Sequence, residues 1–246
     1  MKDVTILVGT FDYDRSTWHA FCHGVSKYWL DRPWLIKATT NYLDFPCGDG
    51  LKVGKDKNWA STTKLSLQKI DSPVIFWMLD DNWLTDFPDT PALTQFTKYI
   101  SDGKADYIRL VNTKKVRGAG QASFDDRLFV FSDNSKYRTS LCLSIWNRQV
   151  FIDLLKEGES VWDFEKFGPA RSKKYKFCCV YAWDCEYIPH VCQNCTLERG
   201  GKEKWLWSPL HKGSWTKAAE DYALQEGLSI NFSQHPKKMR KRDIYG

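Results

Sequence analysis

Two six-residue runs without a charged residue constrain the fold of this 246-residue chain more than any other feature. Val4–Gly9 (VTILVG) and Val74–Leu79 (VIFWML) have the length and apolar content of strands that are buried on both faces of a sheet. Helices are predicted at residues 17–30, 61–70 and 91–100, the first because its aromatic residues share one face. Strands that alternate with helices at this spacing are typical of βαβ units. We therefore expect an α/β fold, with a mostly parallel sheet flanked by helices.

The rest of the chain extends this pattern without an internal repeat or a clear linker. Shorter strands are predicted at Trp34–Ala38 and Tyr107–Val111, and residues 112–137 are polar and predict a long loop or hairpin. A buried run at Ser140–Trp146 precedes a helix, and Ser160 is the predicted cap of the next one. We expect a single domain over residues 1–235, followed by a basic, flexible tail at 236–246.

Composition and charge exclude several classes of protein. Hydrophobic residues make up 42% and charged residues 27% of the chain, and no apolar run approaches the roughly 20 residues that cross a bilayer. The first apolar run is too short for a secretory signal, so a cytoplasmic location is expected. The net charge is +6, of which the segment Lys237–Arg242 with Asp243 supplies +4. A near-neutral body argues against a globally basic nucleic-acid binder, although the tail can contact a polyanion.

The cysteines leave a zinc site open. Five of the eight lie between Cys178 and Cys195, and the pair Cys192-x-x-Cys195 is half of a typical zinc motif. A complete site needs further ligands from this segment, which contains Cys178, Cys179, Cys185 and His190. Because no secretory signal is apparent, we expect reduced, partly buried thiols, with zinc as the alternative.

Acidic residues follow two of the predicted strands. Asp12 and Asp14 come after the first, and Asp80 and Asp81 come directly after VIFWML. Ligands of open α/β sheets bind outside the carboxyl ends of the strands, where carboxylates hold Mg²⁺ or Mn²⁺ against phosphate oxygens. The alternative is that these residues cap turns and helices.

No glycine-rich phosphate loop is present in the sequence. A nucleotide would therefore be held through a cation and basic side chains, and four residues are candidates for this role: Lys37, Lys64, Arg109 and Arg138.

A third group of acidic residues lies at the predicted start of a helix. Glu159, Asp163 and Glu165 flank Trp162, so a carboxylate stands beside an indole on which a sugar can stack. The alternative role of these carboxylates is to cap the helix and to complement its dipole.

The first half of the chain also fits a phosphatase of the haloacid dehalogenase type. In that interpretation Asp12 and Asp14 are nucleophile and acid, Thr39 and Lys64 bind phosphate, and Asp80 with Asp81 holds magnesium. Three residues separate the first strand from Asp12, however, and two thirds of the chain would have no task.

Four segments of the chain carry a family resemblance. They are VTILVGTFDYD at 4–14, FWMLDDNWLT at 76–85, DYIRL at 106–110 and, most specifically, SLCLSIWNRQVFIDLLKEGESVWDFE at 140–165. Together they resemble a family of small GT-A-like glycosyltransferases of bacteria and phages, and a phage member would act in the host cytoplasm. The resemblance implies a GT-A-like fold and an enzyme that transfers a sugar from a nucleotide-sugar donor, with a UDP-sugar favoured, to an acceptor hydroxyl, with inversion.

The resemblance also implies roles for individual residues. Asp80 and Asp81 would hold Mn²⁺ or Mg²⁺, although the adjacent pair, in place of a spaced motif, leaves a metal-free variant open. Glu159 is the expected base, with Asp163 and Glu165 as the next candidates. The residues expected to bind the nucleotide-sugar are Thr10, Phe11, Asp12, Asp14, Lys64, Asp80, Trp146 and Trp162.

The acceptor is the point that the sequence leaves open. A glycan is the family's usual acceptor, and a hydroxymethylated base of phage DNA, flipped from its stack, is the other candidate. A non-catalytic carbohydrate-binding protein would explain the 12 tryptophans but not the paired aspartates.

Overall fold

The computed structural model describes residues 3–112, 120–181, 186–191, 196–198, 203–205, 208–211 and 213–232. The predicted basic tail, and Cys185, Cys192 and Cys195 of the predicted zinc site, lie outside these residues. Six helices are described: α1 (Trp18–Tyr28), α2 (Trp59–Gln68), α3 (Thr90–Ser101), α4 (Arg148–Leu154), α5 (Val161–Arg171) and α6 (Lys217–Glu226), with a 3₁₀ turn at Asp12–Asp14.

The strands form one large sheet and two small ribbons. The sheet consists of β1 (Val4–Gly9), β2 (Leu35–Ala38), β3 (Asp49–Gly50), β4 (Val74–Leu79), β5 (Tyr107–Arg109), β6 (Gly120–Ala122), β7 (Leu128–Phe131), β8 (Ser144–Asn147) and β9 (Phe177–Val180). The ribbons pair β10 (Thr196–Glu198) with β11 (Glu203–Trp205), and β12 (Leu210–His211) with β13 (Ser214–Trp215).

The strand order of the large sheet is β3-β2-β1-β4-β8-β5-β9-β7-β6. β1 pairs in parallel with β2 and β4, whereas β8 runs antiparallel between β4 and β5, and β7 is antiparallel to β9. Only β8 and β7 oppose the common direction among these described strands. This confirms the predicted α/β architecture, with a mostly parallel sheet flanked by helices in a single domain.

Helices cover both faces of the sheet because the side chains of each strand alternate between the two. On β4, Phe76 and Met78 pack on the face covered by α1, α3 and α6, while Ile75 and Trp77 face α2, α4 and α5. Both faces are therefore buried, which explains why β1 and β4 are continuous apolar runs rather than alternating ones.

Two local differences from the sequence predictions have physical reasons. α2 begins at Trp59 because Asn58, in extended backbone, accepts a hydrogen bond from the Ser61 backbone N–H at 2.9 Å and caps the helix. The predicted strand at 140–146 starts only at Ser144, because the Leu141 backbone N–H donates to a side chain, the Glu165 carboxylate, at 2.9 Å. The polar segment contains the β6–β7 hairpin, one of the two predicted alternatives, which extends the sheet at one edge.

The cysteine prediction was wrong in one respect. Cys22 on α1 and Cys47 form a disulfide with a Cα–Cα distance of 5.5 Å, across 25 residues of sequence, so these two thiols are not reduced. Cys178 and Cys179 are free and buried in β9, where consecutive side chains point to opposite faces of the sheet. Within the described ranges no three histidine, cysteine, aspartate or glutamate side chains form a metal-binding group. None of the described helices has the length and apolar character needed to span a membrane.

Candidate active site

A cleft of about 240 Å³ lies outside the carboxyl ends of β1, β2 and β4. This is the edge at which open α/β sheets bind their ligands. The residues that line it come from the strand ends, the 3₁₀ turn, the start of α2 and the first residue of α5: Gly9, Thr10, Phe11, Asp14, Thr39, Asp56, Trp59, Thr62, Thr63, Trp77, Leu79, Asp80, Asp81, Val161 and Leu210.

The aromatic wall of the cleft depends on a glycine at the end of β1. A Cβ at Gly9 would lie 2.5 Å from the ring of Trp77, so only glycine leaves room for the indole across the strand end. The Trp77 Nε1–H donates to the Leu141 carbonyl at 3.1 Å and fixes the ring in place. The cleft therefore has a rigid aromatic wall.

The carboxylate of Asp80 is held by hydroxyl groups. Its Oδ2 accepts hydrogen bonds from Thr10 at 2.6 Å and from Thr17 at 2.9 Å, and the Thr10 hydroxyl in turn accepts one from the Trp18 indole at 2.7 Å. Asp80 is 7% exposed. This chain of bonds preorganises the carboxylate.

Burial raises the pKa values of three carboxyl groups at the cleft, and neighbouring charges add to the rise for Asp14 and Asp81. Burial, followed by the charges of Asp80 and Asp81, raises the pKa of Asp14 to about 8. Burial and the charge of Asp80 raise the pKa of Asp81 to about 7. The pKa of Asp80 rises to about 6 through burial, which the bonds from Thr10 and Thr17 partly offset. No lysine or arginine is among the described residues that line the cleft, so these acids have no resident cation.

A hard divalent cation fits this donor set. Mg²⁺ and Mn²⁺ prefer carboxylate oxygens and commonly complete their shells with phosphate oxygens and water. No group of three acidic, histidine or cysteine ligands was found in the described part of the chain, so the protein does not supply a full shell by itself. Asp80 and Asp81 are the groups that would hold the ion, with a bound diphosphate as a further ligand.

The other side of the cleft suits a planar ring with polar edges. The aromatic residues Phe11 and Trp59 both line it. Thr39 is 5% exposed, and its hydroxyl has no hydrogen-bond partner among the described residues. A buried hydroxyl without a partner is costly, so it marks a position where a ligand can form a bond. Neither Thr39 nor Trp59 was among the residues predicted to bind the nucleotide-sugar, although Thr39 was a predicted phosphate ligand in the phosphatase interpretation.

Asp12, which was predicted to bind the nucleotide-sugar, does not line the cleft. Its carboxylate accepts hydrogen bonds from the backbone N–H groups of Asn41 at 2.9 Å, Tyr42 at 2.8 Å and Leu43 at 3.2 Å. It lines a separate, wider groove beside the Cys22–Cys47 disulfide. Asp12 therefore holds the loop after β2, and Asp14 is the residue of the first acidic pair that faces Asp80.

The phosphatase alternative gains no support from this arrangement. It needs a nucleophile at Asp12 and an ammonium at Lys64 beside the same phosphate. Lys64 is exposed and lines a third groove with Lys57 and Glu157, away from the cleft. Lys64, predicted to bind the nucleotide-sugar, is therefore not among the residues that line the cleft.

The three predicted bases all have partners within the protein. Glu159, 8% exposed, accepts two hydrogen bonds from Arg171 at 2.8 and 2.7 Å. Asp163 forms a capping box with Ser160, and Glu165 accepts from the Leu141 backbone N–H. These contacts favour the structural alternative for each carboxylate, and their catalytic role stays a prediction.

The remaining candidates divide between core and surface. Trp146 is fully buried, with its ring stacked at 4.4 Å on Phe151, so it faces no ligand. Trp162 is 74% exposed and lies outside the cleft. Arg138 donates to the carbonyls of loops, including that of Tyr175 at 2.6 Å. Arg109 is 3% exposed, and its Nε and Nη1 atoms have no partner among the described residues.

Comparisons with known proteins give a similarity of chain course only. No family model and no curated protein sequence matches this chain. The structure of S. aureus TarS 1-349 is 10% identical with a TM-score of 0.49, over 76% of this chain and 60% of that one. A second structure of that fragment, in complex with UDP-GlcNAc, is 13% identical with a TM-score of 0.45, over 99% of this chain and 70% of that one.

A protein with a different name has a similarity of about the same extent. The bifunctional IspDF from Campylobacter jejuni is 9% identical with a TM-score of 0.43, over 76% of this chain and 51% of that one. This chain thus spans about three fifths of TarS 1-349 and half of IspDF. These similarities assign neither a ligand nor an activity to this chain.

Proposed function

We propose that this chain is a glycosyltransferase that uses a nucleotide-sugar donor, with a UDP-sugar favoured. The observation that carries the proposal is the cleft at the ends of β1, β2 and β4, where carboxylates without a cation adjoin aromatic rings and an unpartnered hydroxyl. The resemblance of the sequence segments to GT-A-like glycosyltransferases supports the same assignment.

The donor is proposed to lie across the cleft from β2 to β4. Its base packs against Phe11 and Trp59 and bonds to the Thr39 hydroxyl, and its diphosphate points towards Asp80 and Asp81. A bound Mn²⁺ or Mg²⁺ would neutralise charge that develops on the leaving diphosphate. The protein's part is to fix the carboxylates, and the hydrogen bonds from Thr10 and Thr17 do this for Asp80.

The acceptor half of the reaction is a finer part of the proposal. An acceptor hydroxyl is a poor nucleophile and needs a base, for which Glu159, Asp163 and Glu165 remain the predicted groups. Inversion, action in the cytoplasm, and a glycan or hydroxymethylated DNA base as acceptor are proposed on the sequence resemblance.

Calorimetry with UDP, with and without Mn²⁺, tests the proposal. We expect wild type to bind UDP in a Mn²⁺-dependent way, and Asp81→Asn to lose about tenfold or more in affinity. Asp71→Asn is the matched control, because Asp71 is an exposed carboxylate just before the opposite, amino end of β4. Equal, metal-independent affinity in all three proteins would overturn the metal role, and a wild type that neither binds UDP nor hydrolyses any nucleotide-sugar of a panel would overturn the function.

A further inference from the structure

A groove of about 580 Å³ runs along one face of α5, and we call it the α5 groove. Its helical residues recur at the three- and four-residue spacing that places side chains on one face. The residues that line it are Trp162, Glu165, Lys166, Pro169 and Ala170 of α5, with Lys173 and the segment Asp133, Asn134, Ser135, Lys136 and Tyr137. Val161 lines the cleft and Trp162 lines the α5 groove, so the two sites meet at the first turn of α5.

The aromatic residues of the α5 groove are unusually open to solvent. Trp162 is 74% exposed and Tyr137 is 42% exposed. Tyr137 also has a φ of 55°, in the left-handed region that disfavours residues other than glycine. An exposed indole contributes little to the stability of its helix, whereas its flat face suits a ring of a ligand.

The accessible charge of the α5 groove is mainly positive. Lys136, Lys166 and Lys173 are exposed, and none of them takes part in a salt bridge between described residues. The Glu165 carboxylate is turned inward to the Ser140 hydroxyl and the Leu141 backbone N–H. The remaining acid, Asp133, is 64% exposed in its side chain and lies 3.9 Å from Arg138.

We propose that the α5 groove binds the acceptor, and that this acceptor is an anionic glycan. A sugar ring stacks on Trp162, and the phosphate or carboxylate groups of the glycan contact the lysines. The inference rests on the proposed function, because the shared first turn of α5 would direct one end of the glycan towards a donor in the cleft.

Nucleic acid fits the α5 groove less well. Binding to a phosphate backbone depends on an extended set of basic groups, whereas this groove also presents the exposed carboxylate of Asp133. The same carboxylate can accept hydrogen bonds from sugar hydroxyls, so the mixture of charges favours a glycan with spaced anionic groups.

Direct binding of defined oligomers tests the inference. The probes are a neutral oligosaccharide, one that carries phosphodiester groups, one that carries uronates, and single-stranded and duplex DNA. We expect at least one of the two anionic oligosaccharides to bind wild type most tightly, with its identity distinguishing phosphate from carboxylate. Relative to wild type, Trp162→Ala should weaken that binding about tenfold or more. The double variant with Lys136→Ala and Lys173→Ala should weaken it a few-fold, again relative to wild type.

Two control variants separate the α5 groove from its surroundings. Phe167 is a 48% exposed aromatic residue of α5, and Lys174 is an exposed lysine beside Lys173, and neither is among the residues that line the groove. Phe167→Ala and Lys174→Ala should keep wild-type affinity. Mn²⁺-dependent UDP binding should be unchanged in every variant, which separates this inference from the donor site.

Several results would overturn the proposal. Equal affinity for the neutral oligosaccharide removes the anionic class, and tighter binding of DNA replaces the glycan as the ligand. No oligosaccharide binding at all, or equal losses in Phe167→Ala and Trp162→Ala, removes the site itself. A wild-type protein that does not bind UDP would instead count against the proposed function and not against this site.

Discussion

Two sets of largely buried carboxylates in this chain behave in opposite ways. Glu226 accepts hydrogen bonds from His23 at 2.8 Å, Lys27 at 2.7 Å and Tyr28 at 2.6 Å, and its side chain is 2% exposed. Burial acts to raise its pKa, but these bonds outweigh burial and lower the pKa to about 2. At the cleft, burial and like charge raise the pKa of Asp81 to about 7.

The two sets differ in the partners of their carboxylates rather than in how deeply the carboxylates are buried. Glu226 ties α6 to α1 and Glu159 ties the start of α5 to Arg171 at its end, so both carboxylates join parts of the helical layers. At the cleft, Asp80 is held in place by the hydroxyls of Thr10 and Thr17, and no lysine or arginine is among the described lining residues. An arrangement that costs stability without a structural gain is characteristic of functional sites.

The largest expected effect is on activity and comes from the cleft. Asp81→Asn should reduce sugar transfer by about 100-fold or more, because stabilisation of charge on the leaving group is commonly worth that much. The same substitution should leave the free energy of unfolding unchanged or raise it, since it removes repulsion from Asp80. Transfer assays and urea unfolding measure the two quantities. A variant that is active but clearly less stable would mean that Asp81 stabilises the fold, as Glu226 and Glu159 do, and has no role in transfer.

The second-largest effect is on stability and comes from Glu159, one of the carboxylates that have a cationic partner. Glu159→Gln should lower the free energy of unfolding by about 1–3 kcal/mol, because it leaves the guanidinium of Arg171 without its carboxylate. The estimate is kept below that of a fully buried pair since the Arg171 side chain is 29% exposed. Glu157→Gln, an exposed neighbour, should have little effect.

The same variant also tests the predicted base. A general base contributes about 10²–10⁴-fold to rate, so a purely structural Glu159 should leave transfer within a few-fold of wild type under stable conditions. Unchanged stability together with a rate loss of that size would instead identify Glu159 as the base.

Much of the fold and part of the cleft could be predicted from local sequence. The runs at Val4–Gly9 and Val74–Leu79 became β1 and β4 with the predicted bounds, because a strand that is buried on both faces has to be continuously apolar. The position of Asp80 and Asp81 at the carboxyl edge followed from the same reasoning. The antiparallel direction of β8 was not predictable, since its apolar pattern is the same in either direction.

Residue roles that depend on distant partners could not be predicted. Asp12 and Asp14 are two residues apart, and the 3₁₀ turn separates them, so that one bonds the loop after β2 and the other faces Asp80. Trp146 and Trp162 both stand in the segment that resembles glycosyltransferases, yet one is core and the other is 74% exposed. Only tertiary packing distinguishes such cases.

The smallest expected effect is the acid sensitivity of the link between α6 and α1. The pKa of Glu226 falls from 4.5 to about 2 on folding, so its ionised form stabilises the protein above the unfolded value. That contribution should be complete above about pH 5 and should disappear as the pH falls through 4.5 towards 2. We expect about 1–2 kcal/mol, discounted from the full shift because the Lys27 side chain is 48% exposed.

Comparison of wild type with Glu226→Gln across pH isolates this contribution. The variant should be less stable at pH 7, and the difference between the two proteins should shrink steadily below pH 4.5. Glu220→Gln is the control, since Glu220 is exposed on the same helix and its one ion pair, with Lys217, spans 4.0 Å. A difference that stays constant down to pH 2.5 would mean that the Glu226 side chain acts through packing and not through its charge.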